Sequence, residues 1–156
     1  MTDKRKKLCR ALFALYILLM IFLLFIMRAD FSGKKPGLFS REHLELSSLT
    51  PFKTIREYER HLKNGTISRP LAVVNLLGNL LAFAPLGVFI PMLTKGRLSR
   101  FGYFFLFSLG VICCVEITQF VTYTGSLDVD DLILNLAGAC GAFLLMKTKP
   151  LKKLYS

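Results

Sequence analysis

At 156 residues the chain has room for one domain, and 53% of it is hydrophobic, with no tryptophan and a mean hydropathy of +0.50. That apolar content, gathered into long uninterrupted runs, excludes an ordinary soluble core. The net charge of +11 comes from basic residues that flank the apolar runs instead of interleaving with stacking aromatics, so anionic lipid, and not nucleic acid, is the expected counter-charge.

Residues 1–10 carry Lys4, Arg5, Lys6, Lys7 and Arg10, and 11–27 follow as seventeen apolar residues without a charge, glycine or proline. The run exceeds the roughly 7–15 residues of a signal-peptide core and no small-x-small cleavage site follows it, which favours a retained first transmembrane helix over a cleaved leader. Residues 28–70 form a hydrophilic stretch of 43 residues, long for a structureless connection. Within it Thr54 and Glu57 have capping-box spacing, Ile55, Tyr58 and Leu62 recur at helical spacing, and Asn64-Gly65 supplies a stop. A short amphipathic helix is predicted there, lying on the bilayer surface or folded as a lid over the polar residues described below.

Residues 71–93 hold no charge and are long enough to cross the hydrocarbon. Asn75, Gly78, Asn79 and Ala82 share one face of this second span, where the asparagines are packing glue or part of a site. Pro85 and Pro91 predict a kink that neighbouring groups must satisfy. A basic turn (Lys95, Arg97, Arg100) leads to a third span, 101–121, whose only charge is Glu116. An uncharged turn, 122–126, leads to a fourth span, 127–146, and a basic tail. The expected architecture is an all-α polytopic membrane protein, one domain over 1–156. Its four transmembrane helices are 11–27, 71–93, 101–121 and 127–146, with the amphipathic helix in the first extracytoplasmic loop.

Lysine and arginine counts set the orientation. The N-terminal tail has five, the 94–100 turn three, the C-terminal tail four and the 122–126 turn none, while the long 28–70 stretch has nine offset by five acidic residues. Both termini are therefore expected on the cytoplasmic side. The four cysteines, Cys9, Cys113, Cys114 and Cys140, lie in or beside apolar segments without a CxxC pair, and read as small buried hydrophobes with no disulfide or zinc framework.

In this orientation the polar side chains fall at one level near the outer face: Asn75 and Asn79 early in the second span, Glu116 and Gln119 late in the third, Asp128, Asp131 and Asn135 opening the fourth. Positions 128, 131 and 135 lie within roughly 60° on a helical wheel, and Asp130 points nearly opposite. A charge at the bilayer centre costs ~2.5–3.5 kcal/mol on insertion scales, against ~0.3–0.6 returned by each large aliphatic residue or Phe. The aspartates must therefore sit at the interface, face a wet cavity, or be protonated or bound. Four readings stay open: a polar knot tying helices together, a pocket for a polar headgroup or envelope precursor, carboxylate-based catalysis, or ion translocation. No nucleophile with an adjacent base is legible, since His43 and His61 both lie in the loop. No phosphate loop, zinc motif or dinucleotide fingerprint occurs, so neither a cofactor nor a metal is expected. Ala137, Gly138, Gly141 and Ala142 form two small-xxx-small pairs that should pack on another helix, within the chain or across a homo-oligomer.

Taken in order, Leu49-Thr-Pro-Phe-Lys-Thr-Ile55, the segment NLLAFAPLG from Asn79 to Gly87, Glu116-x-x-Gln119 and Asp128-x-x-Asp131-x-x-x-Asn135-x-x-Gly138 resemble the VanZ-like family of bacterial membrane proteins. The likeness covers roughly 49–142. It implies a small multi-helix protein of the bacterial envelope, in a family whose founding member is associated with low-level resistance to the glycopeptide teicoplanin. By matching position it implies that Asn79, Glu116, Gln119, Asp128, Asp131 and Asn135 are the signature polar residues. The chain departs from the pattern at Gly125, where the family often has a basic residue, at Ala142 for a glycine, and at Ala84 for a bulkier apolar residue. Gly125 leaves Asp128 without an obvious counter-charge. The expectation is an outward-facing polar site that binds or modifies a membrane lipid or cell-wall intermediate.

Overall fold

A computed structural model describes residues 2–29, 37–38, 40–41, 44, 47–66, 68–94 and 96–152; His43, Lys95 and Lys153 lie outside them. The described residues are helical apart from short connections, and four helices are long and apolar enough to cross a membrane: Asp3–Ile26, Ala72–Leu93, Phe101–Thr122 and Val129–Met146. The chain is thus a multi-pass membrane protein whose span boundaries match the hydropathy pattern closely. The first helix is the exception. It begins at Asp3, well before the apolar run, because the lysines and arginines ahead of that run are good helix formers and nothing breaks the turn.

Helix α1 (Asp3–Ile21) continues into a π-helical turn, Phe22–Ile26. Much of its surface is unpartnered leucine, among it Leu12, Leu15 and Leu18, as a lipid-facing helix requires. Its inner stripe of Phe13 and Tyr16 meets Phe89, with ring centroids 5.4 and 6.4 Å away. The second span is broken in two: α3 (Arg69–Ala82) and α4 (Ala84–Leu93) meet at Phe83. Pro85 lies in the first turn of α4, where its missing N–H costs nothing, while Pro91 stays inside α4 without ending it. At the break the Leu86 N–H turns to the Phe83 carbonyl (3.0 Å), and the Ala82 carbonyl accepts from the Tyr16 hydroxyl (2.8 Å). The predicted kink is satisfied by α1.

Helix α2 (Lys53–Lys63) is the predicted amphipathic helix, with Ile55, Tyr58 and Leu62 half-buried and Arg56, Glu59 and Lys63 exposed. The Lys63 ammonium, 2.7 Å from Glu59, holds that carboxyl below the usual range. The capping box does not form. Phe52 takes the N-cap position in the left-handed region (φ 63°) without a side-chain cap, because Thr54 and the first N–H groups are engaged elsewhere in the chain.

Helices α5 (Phe101–Thr122) and α6 (Val129–Met146) are continuous, and a short α7 (Lys149–Lys152) follows. Lipid tails are as apolar as leucine, so these helices associate through close packing and interhelical hydrogen bonds instead of the hydrophobic effect. Phe104 of α5 stacks on Phe143 of α6 with centroids 4.2 Å apart, both fully buried. On the other side of α6, glycine does the work. A Cβ on Gly138 would overlap the Leu80 carbonyl of α3, and one on Gly87 of α4 would overlap the Ala139 carbonyl and lie 2.9 Å from Ala142. Of the two small-residue pairs, Gly138/Ala142 is therefore spent on contacts within the chain, while Ala137 and Gly141 stay exposed.

Adding a Cβ at Gly138 must push α3 off α6, at about 1–3 kcal/mol or more. Gly138→Ala is expected to lower the thermal midpoint of the purified protein clearly, whereas Gly141→Ala, which meets nothing within 4 Å, is expected to leave it unchanged.

Candidate functional site

The site is built around the start of α6. The chain leaves α5 through Tyr123 in the left-handed region (φ 60°), and the Thr124 and Gly125 N–H groups both donate to the Gln119 carbonyl (2.9 and 3.2 Å). Gly125 lies so close that an added Cβ would be 3.3 Å from the Gln119 side chain. A side chain there would crowd Gln119, which accounts locally for the glycine. Residues 127–129 then run parallel to Ser48: the Ser48 N–H donates to the Leu127 carbonyl (2.7 Å) and the Val129 N–H to the Ser48 carbonyl (2.9 Å). The hydrophilic stretch is thereby bound to the entrance of the fourth span.

Three aspartates follow, each with a different task. Asp128 caps α6, one carboxylate oxygen accepting from the Asp130 N–H (2.8 Å) and the other from the Thr54 hydroxyl (2.6 Å). Asp130, which the helical wheel turned away from the others, is fully buried. Its carboxylate accepts from the backbone N–H of Phe52 and from that of Ile55 (3.1 Å). It is the missing N-cap of α2, supplied from another helix: an anion on the unsatisfied N–H groups of a helix start. Sequence reasoning missed it because a wheel gives direction without showing that residues 48–56 wrap that side of α6. Asp131 accepts from the Asn79 amide of α3, tying the second span to the fourth.

Asp128, Asp131, Asn79 and Asn75 open onto one cavity of about 830 Å³ between α1, α2, α3 and α6. Thr54 and Tyr58 contribute from α2, Tyr58 accepting from the Asn75 amide (2.8 Å). The amphipathic helix thus closes one side of the cavity. Arg28, just past the π turn of α1, lines the same end as the carboxylates. It places a cation within the field of Asp131, so the counter-charge absent at Gly125 comes instead from the first span. Its legible trace in the sequence was slight: the first charge after the apolar run. Ser126 is a further lining residue that sequence reasoning passed over. A turn or more deeper than Arg28 and Asn75 along α1 and α3, the walls are apolar, with Leu19, Leu23 and Leu81.

The remaining candidates do not line this cavity. Glu116 and Asn135 are buried together between α5 and α6, with the amide donating to the carboxylate at 3.4 Å and the Asn135 Oδ1 buried without a partner among the described residues. Gln119, also buried, donates to the Leu24 carbonyl inside the π turn of α1 (3.3 Å). A π turn displaces a carbonyl from its regular partner, and Gln119 supplies one. The polar residues read as one cluster from sequence are therefore two groups: an open one facing the cavity, and an enclosed one joining α5 to α6 and α1. His61 pairs with Thr66 (2.7 Å) at the far end of α2 and has no part in either.

A family model described as VanZ/LLP1 matches residues 13–150. No curated protein and no solved structure shows a significant match.

Because Asp130 is the cap that fixes α2, Asp130→Asn retains one acceptor but turns an amide donor toward the second N–H. Hydrogen exchange is expected to rise selectively at residues 52–57, by about 1–3 kcal/mol of local protection, with α5 and α6 unchanged. Exchange rising equally through α6 instead would show that Asp130 supports the bundle and not the attachment of α2.

Proposed function

The chain belongs to the VanZ/LLP1 family, and from that premise we propose that it is a multi-pass protein of the bacterial cytoplasmic membrane that contributes to glycopeptide resistance by binding an amphipathic envelope lipid or cell-wall intermediate in the cavity between α1, α2, α3 and α6. The observation that carries this reading is the lining itself: Arg28, Asn79, Asp128 and Asp131 together with Leu19, Leu23 and Leu81, in one space. Concave sites that combine an apolar wall with a few convergent polar groups are the usual form of small-molecule pockets. The basic-residue asymmetry supports an outward-facing polar end, with both termini cytoplasmic. That is the side on which cell-wall intermediates meet glycopeptides.

A second reading has its own support. Asp130, Glu116, Gln119 and Asn135 are all engaged in bonds between segments, as they would be in a structural or partner-binding subunit whose polar residues only join helices. The two readings separate on different residues. Asp131 lines the cavity as well as bonding Asn79, whereas Glu116 bonds Asn135 and is not among the lining residues.

The expected result is that Asp131→Asn, produced at parental levels and with a parental thermal midpoint, loses most of the protection against teicoplanin in susceptible cells. Glu116→Gln is expected to lose protection only in proportion to its loss of stability, since interhelical hydrogen bonds in membranes are worth about 0.6–2 kcal/mol. Full protection by a stable Asp131→Asn protein would remove the cavity from the mechanism and leave the structural reading.

A further inference from the structure

The lipid-cavity reading leaves the headgroup open, and the arrangement of charge narrows it. The polar end holds both signs on opposite walls: Arg28 at the end of α1, Asp128 and Asp131 at the start of α6. Among the described residues, none of the ion pairs joins Arg28 to either carboxylate. The charges share the cavity without neutralising each other in direct contact. Asn79 engages one carboxylate oxygen of Asp131, and among the described residues no hydrogen bond reaches the other. Below this level Leu19, Leu23 and Leu81 form an apolar slot between α1 and α3.

We propose, resting on the lipid-cavity reading above, that the occupant is a zwitterionic phospholipid with a primary ammonium: the ammonium held by Asp131 and Asp128, the phosphate by Arg28, and one acyl chain in the slot between α1 and α3. The chain itself provides little discrimination, because it leaves one hydrocarbon environment for another. Selection therefore falls on the headgroup, where charge-assisted hydrogen bonds in a partly desolvated space are strongest. A lipid with a phosphate alone would satisfy Arg28 but leave two carboxylates facing its anion. A neutral sugar headgroup would leave Arg28 without an anion. A quaternary ammonium brings the charge but no N–H donors for the carboxylates and the Tyr58 oxygen. A primary ammonium three donors wide, joined to a phosphate, matches both walls at once.

The test is competition binding to the purified full-length chain, read by native mass spectrometry, among four lipids with identical acyl chains: phosphatidylethanolamine, phosphatidylglycerol, phosphatidylcholine and a diglucosyl-diacylglycerol. Phosphatidylethanolamine is expected to be retained about tenfold over each of the others, the scale of one charge-assisted contact. Asp131→Asn should reduce that preference toward parity. Arg28→Gln, at the exposed end of α1, should weaken the three phospholipids alike and leave the glycolipid unchanged. Leu81→Trp, which fills the slot, should weaken all four. Retention of phosphatidylglycerol, phosphatidylcholine or the glycolipid as strongly as phosphatidylethanolamine overturns the headgroup assignment while leaving the cavity a lipid site. Failure to retain any of the four overturns the membrane-lipid assignment as well and leaves only a cell-wall intermediate as the occupant. If Asp131→Asn does not fold, the order of the four lipids on the parent protein decides.

Discussion

A carboxylate cannot lie unpartnered beside hydrocarbon, and the architecture of this protein follows from where it partners three of them. Asp128, Asp130 and Asp131 fall within four residues at the mouth of the fourth span, and each draws in a different part of the chain. Asp128 takes the α6 N-terminus and Thr54, Asp130 the N-terminus of α2, and Asp131 the amide of Asn79. An amphipathic segment that could have floated on the bilayer is thereby fastened over the helix bundle, and the second span is aligned with the fourth. The helix-start N–H groups and the aspartates satisfy one another, which is how such groups are tolerated at membrane depth.

The apolar half of the structure makes that alignment possible. Gly138 against the Leu80 carbonyl, and Gly87 against Ala139, bring α3 and α4 onto α6 closely enough for Asn79 to reach Asp131. On the opposite side Phe104 and Phe143 set the spacing of α5, and the Glu116–Asn135 pair is enclosed between those helices. Helix α1 is the loosest member, held through Tyr16 at the break in the second span and through Gln119 at the π turn. Between this helix and the remainder of the bundle the cavity opens, with a cation on the α1 side and carboxylates on the α6 side.

The spans, the short amphipathic helix and the polar level of the bundle were legible in the sequence, because they rest on runs of apolar residues and on helical periodicity. The partners were not. Asp130 looked irrelevant on a helical wheel, yet it is the most enclosed of the three aspartates, because long-range wrapping by residues 48–56 has no periodic signature. Thr54 and Glu57 had the spacing of a local cap, but the Thr54 hydroxyl bonds Asp128 instead, and a carboxylate from α6 caps the helix at the Phe52 and Ile55 N–H groups. Arg28 lies about a hundred residues from the aspartates it faces, and neither spacing nor composition joins them. Glu116, Gln119 and Asn135 are near the other polar residues in depth but point elsewhere, a distinction that only packing makes.

The central claim is an outward-facing cavity at the mouth of α6. The direct test is labelling of single cysteines with a membrane-impermeant maleimide in intact cells, with Cys9, Cys113, Cys114 and Cys140 replaced. Ser126→Cys lies at the cavity's polar end, and Ser99→Cys in the opposite turn, Arg97–Ser99. Labelling at 126 from outside, with 99 protected until the membrane is opened, is the result this account predicts. Labelling at 99 and protection at 126 would contradict it, turning the carboxylates toward the cytoplasm and away from any ligand at the cell surface.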